Sequence, residues 1–336
     1  MPKTALLLCL LAVAAGARAQ DASPAPQPLA HIGDTTERTP DAATLQAWRT
    51  DAAKALAASD DAGALIAASM LALAAHDGAT ATHALQRAAE RAPKDPDVAW
   101  MAVWRCADLA SCTHARENLH ALEADNAAAW LPDLYAATQA DDAKRVTQAL
   151  QGMADARRYD DHQMHLLPRV LDALGLVPPP AGVQEGVDAG ALRAAEAMAL
   201  TSVAAIPPLA PLGAACSGEQ DAARVALCLR VAERMQQGTS LMAQMVGEGL
   251  ARRLLRDPQP LAALAARQRT RAWRMQKMAG LMRELAHDPA LAQAWTAAMR
   301  GHAREDDAVA ALLAARGIPD QPPAGWQPAG AAQRGP

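Results

Sequence analysis

The residues best suited to chemistry in this chain of 336 residues form one short cluster: Asp160, Asp161, His162 and His165. Two histidines spaced three residues apart share one face of a helix, which suits metal ligands. A metal site needs further ligands, and the sequence offers neither a third histidine at helical spacing nor a nearby cysteine. We therefore interpret this segment as the beginning of an ordinary helix, and we predict no metal ion and no other cofactor.

Acidic residues are the next candidates for catalysis. Three adjacent pairs fall at predicted helix ends: Asp60 and Asp61, Asp141 and Asp142, and Asp306 and Asp307. Acidic side chains at these positions cap helices and solvate loops, and neighbours on a helix point about 100° apart, which suits shared acid–base work poorly. The sequence also lacks a nucleophile elbow, a paired-histidine protease helix and a phosphate-binding glycine loop. We predict no catalytic residues; the alternative is a hydrolase of glycan or peptide whose carboxylates come from distant helices.

A basic stretch offers a different chemistry. Residues 252–283 contain nine basic side chains and one acidic side chain, Asp257. Three arginines share a face of the predicted helix beside Trp273: Arg267, Arg271 and Arg274. Guanidinium groups bind carboxylates and phosphates well, so these three are candidates for binding an anionic ligand or an acidic partner. The alternative is contact with the protein's own acidic repeats, over residues 62–163, or with solvent, and this alternative is favoured.

The beginning of the chain has the parts of a secretory signal in order. Lys3 precedes an apolar run over residues 5–15, and small residues stand at Ala17 and Ala19. The run is too short to span a bilayer, and no later segment is long and apolar enough to do so. We expect cleavage after Ala19, a periplasmic or secreted location, and no membrane span.

Export makes disulfide bonds possible. Of the five cysteines in the chain, those beyond the signal are Cys106, Cys112, Cys216 and Cys228. Their even number and spacing predict two local pairs. Six residues of helix span about 9 Å, beyond the roughly 7 Å limit between bridged Cα atoms, so a helix must end between the first two cysteines. The second pair requires its helix to begin near Asp221, rather than at the capping box of Ser217 and Gln220.

Composition predicts an all-α fold. The chain is 51% hydrophobic but only 3% aromatic, without phenylalanine, and its abundant alanine favours helices that pack closely. Residues 20–188 contain 24 acidic and 13 basic residues, whereas residues 189–316 contain 11 and 16, so the two segments can attract each other. The acidic total argues against nucleic acid as a general partner.

A helical pattern recurs three times at a spacing of 34 residues between Ala62 and Gln163. Its columns of small and apolar residues are Ala81, Ala115 and Ala149; Leu85, Leu119 and Met153; and Ala88, Leu122 and Ala156. Steps of four and three residues place these columns on one face of each repeat's second helix. Small residues there would let neighbouring helices approach closely.

The pattern resembles the tetratricopeptide family, whose second helix carries small, large apolar and small residues before a proline. Ala81, Leu85, Ala88 and Pro93 match this pattern, whereas the first helices have mainly alanine where the family has larger residues. Any alanine-rich helix tolerates the same pattern, which is the alternative. The resemblance implies an array of helix pairs with a groove for a protein or peptide, and hence a non-enzymatic binding or scaffold protein of the cell envelope.

These features divide the chain into segments. The predicted order is a signal peptide (1–19), a flexible leader (20–38), a helical-repeat domain (39–177), a linker rich in proline and glycine (178–188), an irregular helical domain (189–316) and a disordered tail (317–336). In the second domain, starts at cap and proline residues predict helices over 189–205, 221–236, 239–256, 258–286, 289–300 and 303–315.

Overall fold

The structure is a computed structural model, and it describes residues 42–106, 109–180, 188–204, 207–218, 221–285 and 288–328. Within these ranges the chain forms fifteen α-helices and a 3-10 helix, and no strand. The predicted all-α class is therefore confirmed. The predicted signal peptide, the leader and Gln220 lie outside the described residues, as do most of the linker and the end of the tail.

The helices follow in chain order. They are α1 (Ala42–Ala57), α2 (Ala62–Ala74), α3 (Gly78–Arg91), α4 (Pro96–Val103), α5 (Leu109–Leu122), the 3-10 helix (Ala127–Trp130), α6 (Leu131–Gln139), α7 (Ala143–Asp155), α8 (Gln163–Gly175), α9 (Ala189–Ala204), α10 (Ala210–Ala215), α11 (Ala222–Gln236), α12 (Leu241–Leu254), α13 (Pro258–Glu284), α14 (Pro289–Gly301) and α15 (Glu305–Ala315).

Capping side chains fix where many of these helices begin. Side chains that accept a backbone N–H of the first turn are Asp61, Asp77, Asp95, Asp142, Asp221, Ser240, Asp257 and Asp288. Such a cap stabilises a helix by about 1 kcal/mol. Asp306 and Asp307 lie in the first turn of α15, where acidic residues favour the helix dipole. All three predicted acidic pairs therefore contribute residues to helix beginnings, as expected.

The pairs α2–α3, α4–α5 and α6–α7 each pack together. Every described member of the second-helix columns is buried or half-buried. Pro132 lies in the first turn of α6, where its missing N–H costs no helical hydrogen bond, so that helix begins late. The sequence pattern thus describes which residues pack, without requiring a uniform array.

Helix α2 lies at the centre of the fold. Its residues from Gly63 to Ala72 are all buried, because α1, α3, α8 and α9 pack around it. Helix α8 therefore turns back onto α2, while α11 packs on α7 and pairs with α12. Residues on both sides of the predicted linker contribute to one hydrophobic core, so the segments 39–177 and 189–316 are not packed as separate units.

Helix bounds in the second segment match the sequence analysis closely, with one addition. The sequence predicts no helix between residues 205 and 221, and the structure has the short helix α10 there. Pro211 lies in its first turn, a position compatible with the missing N–H of proline. No helix within the described residues is long and apolar enough to cross a membrane.

Both predicted disulfides are confirmed. Cys106 and Cys112 are bonded with Cα atoms 5.0 Å apart, and Cys216 and Cys228 with Cα atoms 5.8 Å apart. Helix α4 ends before Cys106 and α5 begins after it, so Cys106 and Cys112 do not lie on one continuous helix. Asp221 caps α11, so the second helix begins where the geometry of the bond required.

Candidate functional site

Buried polar side chains meet where α4, the 3-10 helix and the beginning of α8 come together. We name this set the α8 polar cluster, and its members are Asp97, Glu123, Asn126, Asp160, Asp161 and His162. Burying charged groups is costly unless they are paired and hydrogen-bonded. The partners of each side chain therefore determine what the cluster can do.

Asp97 is held from two sides. It lies in the first turn of α4, directly after Pro96, and Arg169 of α8 donates to its Oδ2 at 2.7 Å. The other terminal nitrogen of Arg169 donates to Asp95 Oδ2 at 2.6 Å. Burial opposes ionisation of Asp97, but hydrogen bonds from His162 and Arg169 outweigh it and hold the pKa of the carboxyl below its ordinary value.

His162 is the central member of the cluster. Its Nδ1 lies 2.8 Å from Asp97 Oδ1, and its ring stacks on Trp100 with centroids 5.1 Å apart. Burial lowers the pKa of the imidazole. The hydrogen bond with Asp97 and the negative charges of Asp97, Asp160 and Glu123 raise it by more, so that the pKa lies above its ordinary value. Its Nε2 is buried, has no hydrogen-bond partner in the described part of the chain, and lies 3.9 Å from Glu123 Oε2.

The backbone at His162 is unusual. Its φ of 61° lies in the left-handed region, where a residue with a side chain costs about 1–2 kcal/mol. The carboxylate of Asp160 accepts the His162 backbone N–H at 2.9 Å and so helps to hold this turn before α8. The turn directs the imidazole back toward α4.

Glu123, Asn126 and Asp160 form the outer part of the cluster. Asn126 donates to Glu123 Oε2 and to the Asp160 carbonyl oxygen, both at 2.8 Å. Arg158 forms ion pairs with Glu123 and with Asp160. Glu123 and Asp160 thus share one basic partner, and neither carboxylate lines either of the two surface cavities.

The four residues of the predicted ligand-like cluster take different positions. His165 lies above the buried residues with its side chain half exposed; its Nδ1 is 3.7 Å from Asp97 Oδ1 and its Nε2 is 3.6 Å from Asp160 Oδ2. Asp161 instead turns toward α12, where the Ser240 hydroxyl donates to it. Burial, with a smaller contribution from Asp160, raises the pKa of Asp161 to about 6.

Two arginines of the basic helix α13 form ion pairs within the protein. Arg271 pairs with Glu248 at 2.5 Å, and Arg274 pairs with Asp306 at 2.8 Å and Asp320 at 2.7 Å. Arg267 is exposed and donates to the Gln236 side chain at 2.9 Å. Two of the three candidate anion-binding arginines are therefore occupied, by acids of the second segment and of the predicted tail rather than of the predicted repeats.

Two surface cavities are described. One of about 820 Å³ lies beside Trp130 and α7, and one of about 680 Å³ lies between α3, α4 and α5. We name the second the α3–α5 groove. Its apolar lining includes Leu85, Ala89, Val98, Ala99, Ala102 and Ala115. Its polar lining includes Gln86, Glu90, Arg105, His114 and Asn118.

Asp97 and Glu123 were missed by the sequence analysis. They lie 65 and 39 residues before His162, and neither belongs to a motif with the histidines. The one local signal is the Asp95 and Pro96 helix start, which places Asp97 in a first turn. No family model matches the chain, and comparison with curated proteins and with solved structures finds no match either.

Proposed function

We propose that this is an exported, non-enzymatic helical protein of the cell envelope that binds a peptide segment of a partner in the α3–α5 groove. The observation that carries the proposal is the groove itself, an open apolar cavity with a few polar groups at its edge. Its volume of about 680 Å³ is within the range of ligand pockets, about 300–1,000 Å³. The two disulfides and the predicted signal peptide support export.

The position of the groove differs from the one that a tetratricopeptide array would offer. Such an array presents its first helices to a partner, but α8 and α9 cover α2. The α3–α5 groove lies instead between the second helix of one pair and both helices of the next. The proposal therefore keeps the repeat interpretation for the helix pairs and moves the binding surface.

Arg105 suggests the chemistry of the occupant. Its guanidinium is partly buried at the groove, and desolvation lowers its pKa below the ordinary value for arginine. Its Nε is buried without a hydrogen-bond partner among the described residues. A desolvated guanidinium gains most from a carboxylate, so the proposed occupant carries apolar side chains with a nearby acidic group.

The hydrolase alternative has less support. Its carboxylates would have to act from a cleft, whereas the buried carboxylates of the α8 polar cluster are bound by Arg158 and Arg169 or by the Ser240 hydroxyl. Binding through the basic helix has less support as well, because Arg271 and Arg274 already have acidic partners.

The test is selection from a displayed library of random peptides, followed by titration of the recovered peptides. We expect saturable binding at micromolar concentration that weakens at least about tenfold in Arg105→Glu and in Ala102→Leu, which fills the groove. Matched controls are Arg145→Glu and Ala121→Leu, which change exposed residues outside the groove. Recovery of no saturable peptide, or equal loss in the controls, would overturn the proposal.

A further inference from the structure

Three side chains from two distant stretches of sequence bring potential metal ligands together beside α8. Asp97, His162 and His165 each offer one ligand atom, and these atoms lie within 4.8 Å of one another. We propose that they form a site for one divalent transition-metal ion, with zinc as the best match.

The distances are close to those of a zinc site. Tetrahedral zinc with bonds of about 2.0–2.1 Å places its ligand atoms roughly 3.3 Å apart. Asp97 Oδ1 lies 2.8 Å from His162 Nδ1 and 3.7 Å from His165 Nδ1, so the two separations bracket that value. His165 is half exposed and can move toward the ion, whereas the other two ligands are held in place. Solvent supplies the fourth ligand.

The donor set selects the class of metal. Calcium and magnesium prefer oxygen ligands alone, whereas two imidazoles and one carboxylate suit zinc and related transition metals. Copper(I) favours thiolate, and the described cysteines are all bonded in disulfides. The half-exposed ring of His165 gives the ion a path from solvent.

The surrounding groups provide the support that a ligating histidine needs. Such a histidine usually donates its second ring N–H to a carboxylate, which fixes the tautomer. When Nδ1 of His162 binds the ion, Nε2 carries the proton, and Glu123 Oε2 already lies 3.9 Å from it. Nε2 is buried without another partner in the described part of the chain, which is an independent sign that its N–H is available to Glu123 when Nδ1 binds the ion.

Charge also favours a cation. Asp97, Glu123 and Asp160 surround His162, and Arg158 and Arg169 neutralise them only in part. Metal binding requires the ligating ring nitrogen of His162 to carry no proton, so binding should weaken as the pH falls. Arg169 stays on Asp97 Oδ2 and leaves Oδ1 for the metal.

The test uses the whole chain, freed of metal with a chelator and titrated with zinc chloride by calorimetry. We expect one equivalent to bind with a dissociation constant in the micromolar range or below, and cobalt(II) to give the visible absorption of a low-symmetry, four- or five-coordinate site. His165→Ala should weaken zinc binding at least about tenfold. Because this side chain is half exposed, the variant should fold like the parent, which thermal unfolding without metal checks.

His83→Ala is the matched control, since it removes an exposed histidine from α3 and should bind zinc like the parent. Zinc should also raise the melting temperature of the parent and of His83→Ala, but not that of His165→Ala. The proposal fails if the parent shows no saturable zinc binding, or if His165→Ala binds zinc as tightly as the parent. It uses none of the residues that line the α3–α5 groove, so the two proposals stand or fall separately.

Discussion

Two helix junctions of this protein hold together by opposite means. Where α4 meets α8, Asp97 accepts hydrogen bonds from His162 and Arg169 across the contact. Where α11 meets α12, small residues let the backbones approach: a Cβ added at Gly247 would lie 2.7 Å from the Ala232 carbonyl oxygen. The first junction depends on charge, and the second depends on the absence of side-chain volume.

The difference determines what each junction responds to. Apolar contacts between closely packed helices do not change with protonation or with metal, and they are disturbed chiefly by added volume. A buried ionic junction is sensitive to the loss of any one partner, because the others are then left charged and unpaired. We therefore expect the two junctions to fail under different substitutions.

Asp97→Ala should have the largest effect. It leaves the buried His162 without the carboxylate that it contacts and removes one of the two carboxylates that hold Arg169. The free energy of unfolding should fall by about 3–5 kcal/mol in urea titrations. Asp172→Ala is the control in α8, because Asp172 and its partner Arg300 are both exposed and such a pair contributes at most about 1 kcal/mol. Equal losses in the two variants would show that the α4–α8 junction is not held by charge.

Removal of the disulfide that anchors α11 should come next. The chain-entropy account gives about 3 kcal/mol for a loop of 12 residues and about 2 kcal/mol for one of six. Replacing Cys216 and Cys228 by alanine should therefore destabilise the protein more than replacing Cys106 and Cys112. Urea unfolding of the two double variants measures the difference, and the reverse order would contradict a role for the longer loop in holding α11.

Gly247→Ala tests the small-residue junction directly. The added methyl meets backbone atoms of α11, which cannot move aside as a flexible side chain can, and such overpacking costs about 1–3 kcal/mol. Gly249→Ala is the matched control on the same helix, because no atom lies within 4 Å of its added Cβ. That variant should gain up to about 1 kcal/mol from helix propensity. Stabilisation by both substitutions would show that the α11–α12 contact is looser than described.

The features that the sequence could predict are local ones. Alanine columns, caps such as Asp288 and the disulfide spacings each involve residues close together in the chain, and the corresponding helices and bonds are present. The α4–α8 junction could not be predicted, because it joins Asp97 to His162 across 65 residues without a repeated pattern. Its formation depends on α8 turning back onto α2, which is a tertiary outcome. The acidic partners of Arg271 and Arg274 depend likewise on how α12 and α15 pack.

Asp161→Asn should change the free energy of unfolding least. Whether it stabilises or destabilises the protein distinguishes the effect of charge from that of packing at the beginning of α8. The folded pKa of Asp161 is about 6, above the ordinary value of 3.8. Its burial therefore costs nothing below about pH 4, destabilises the protein increasingly as the pH rises from about 4 to 6, and levels off at higher pH. The pKa shift of Asp161 corresponds to a loss of about 3 kcal/mol in the free energy of unfolding at pH 8. The amide carries no charge but leaves an N–H group unpaired at a cost of about 1–3 kcal/mol.

We therefore expect Asp161→Asn to be about 1 kcal/mol more stable than the parent at pH 8. At pH 4 it should be no more stable than the parent, since the parent's carboxyl is then neutral as well. Urea unfolding between pH 4 and pH 8 measures both curves, with Asp155→Asn as an exposed control that should follow the parent. A constant difference between variant and parent at every pH would mean that Asp161 acts through shape rather than charge. The beginning of α8 would then resemble the small-residue junction more than the ionic one.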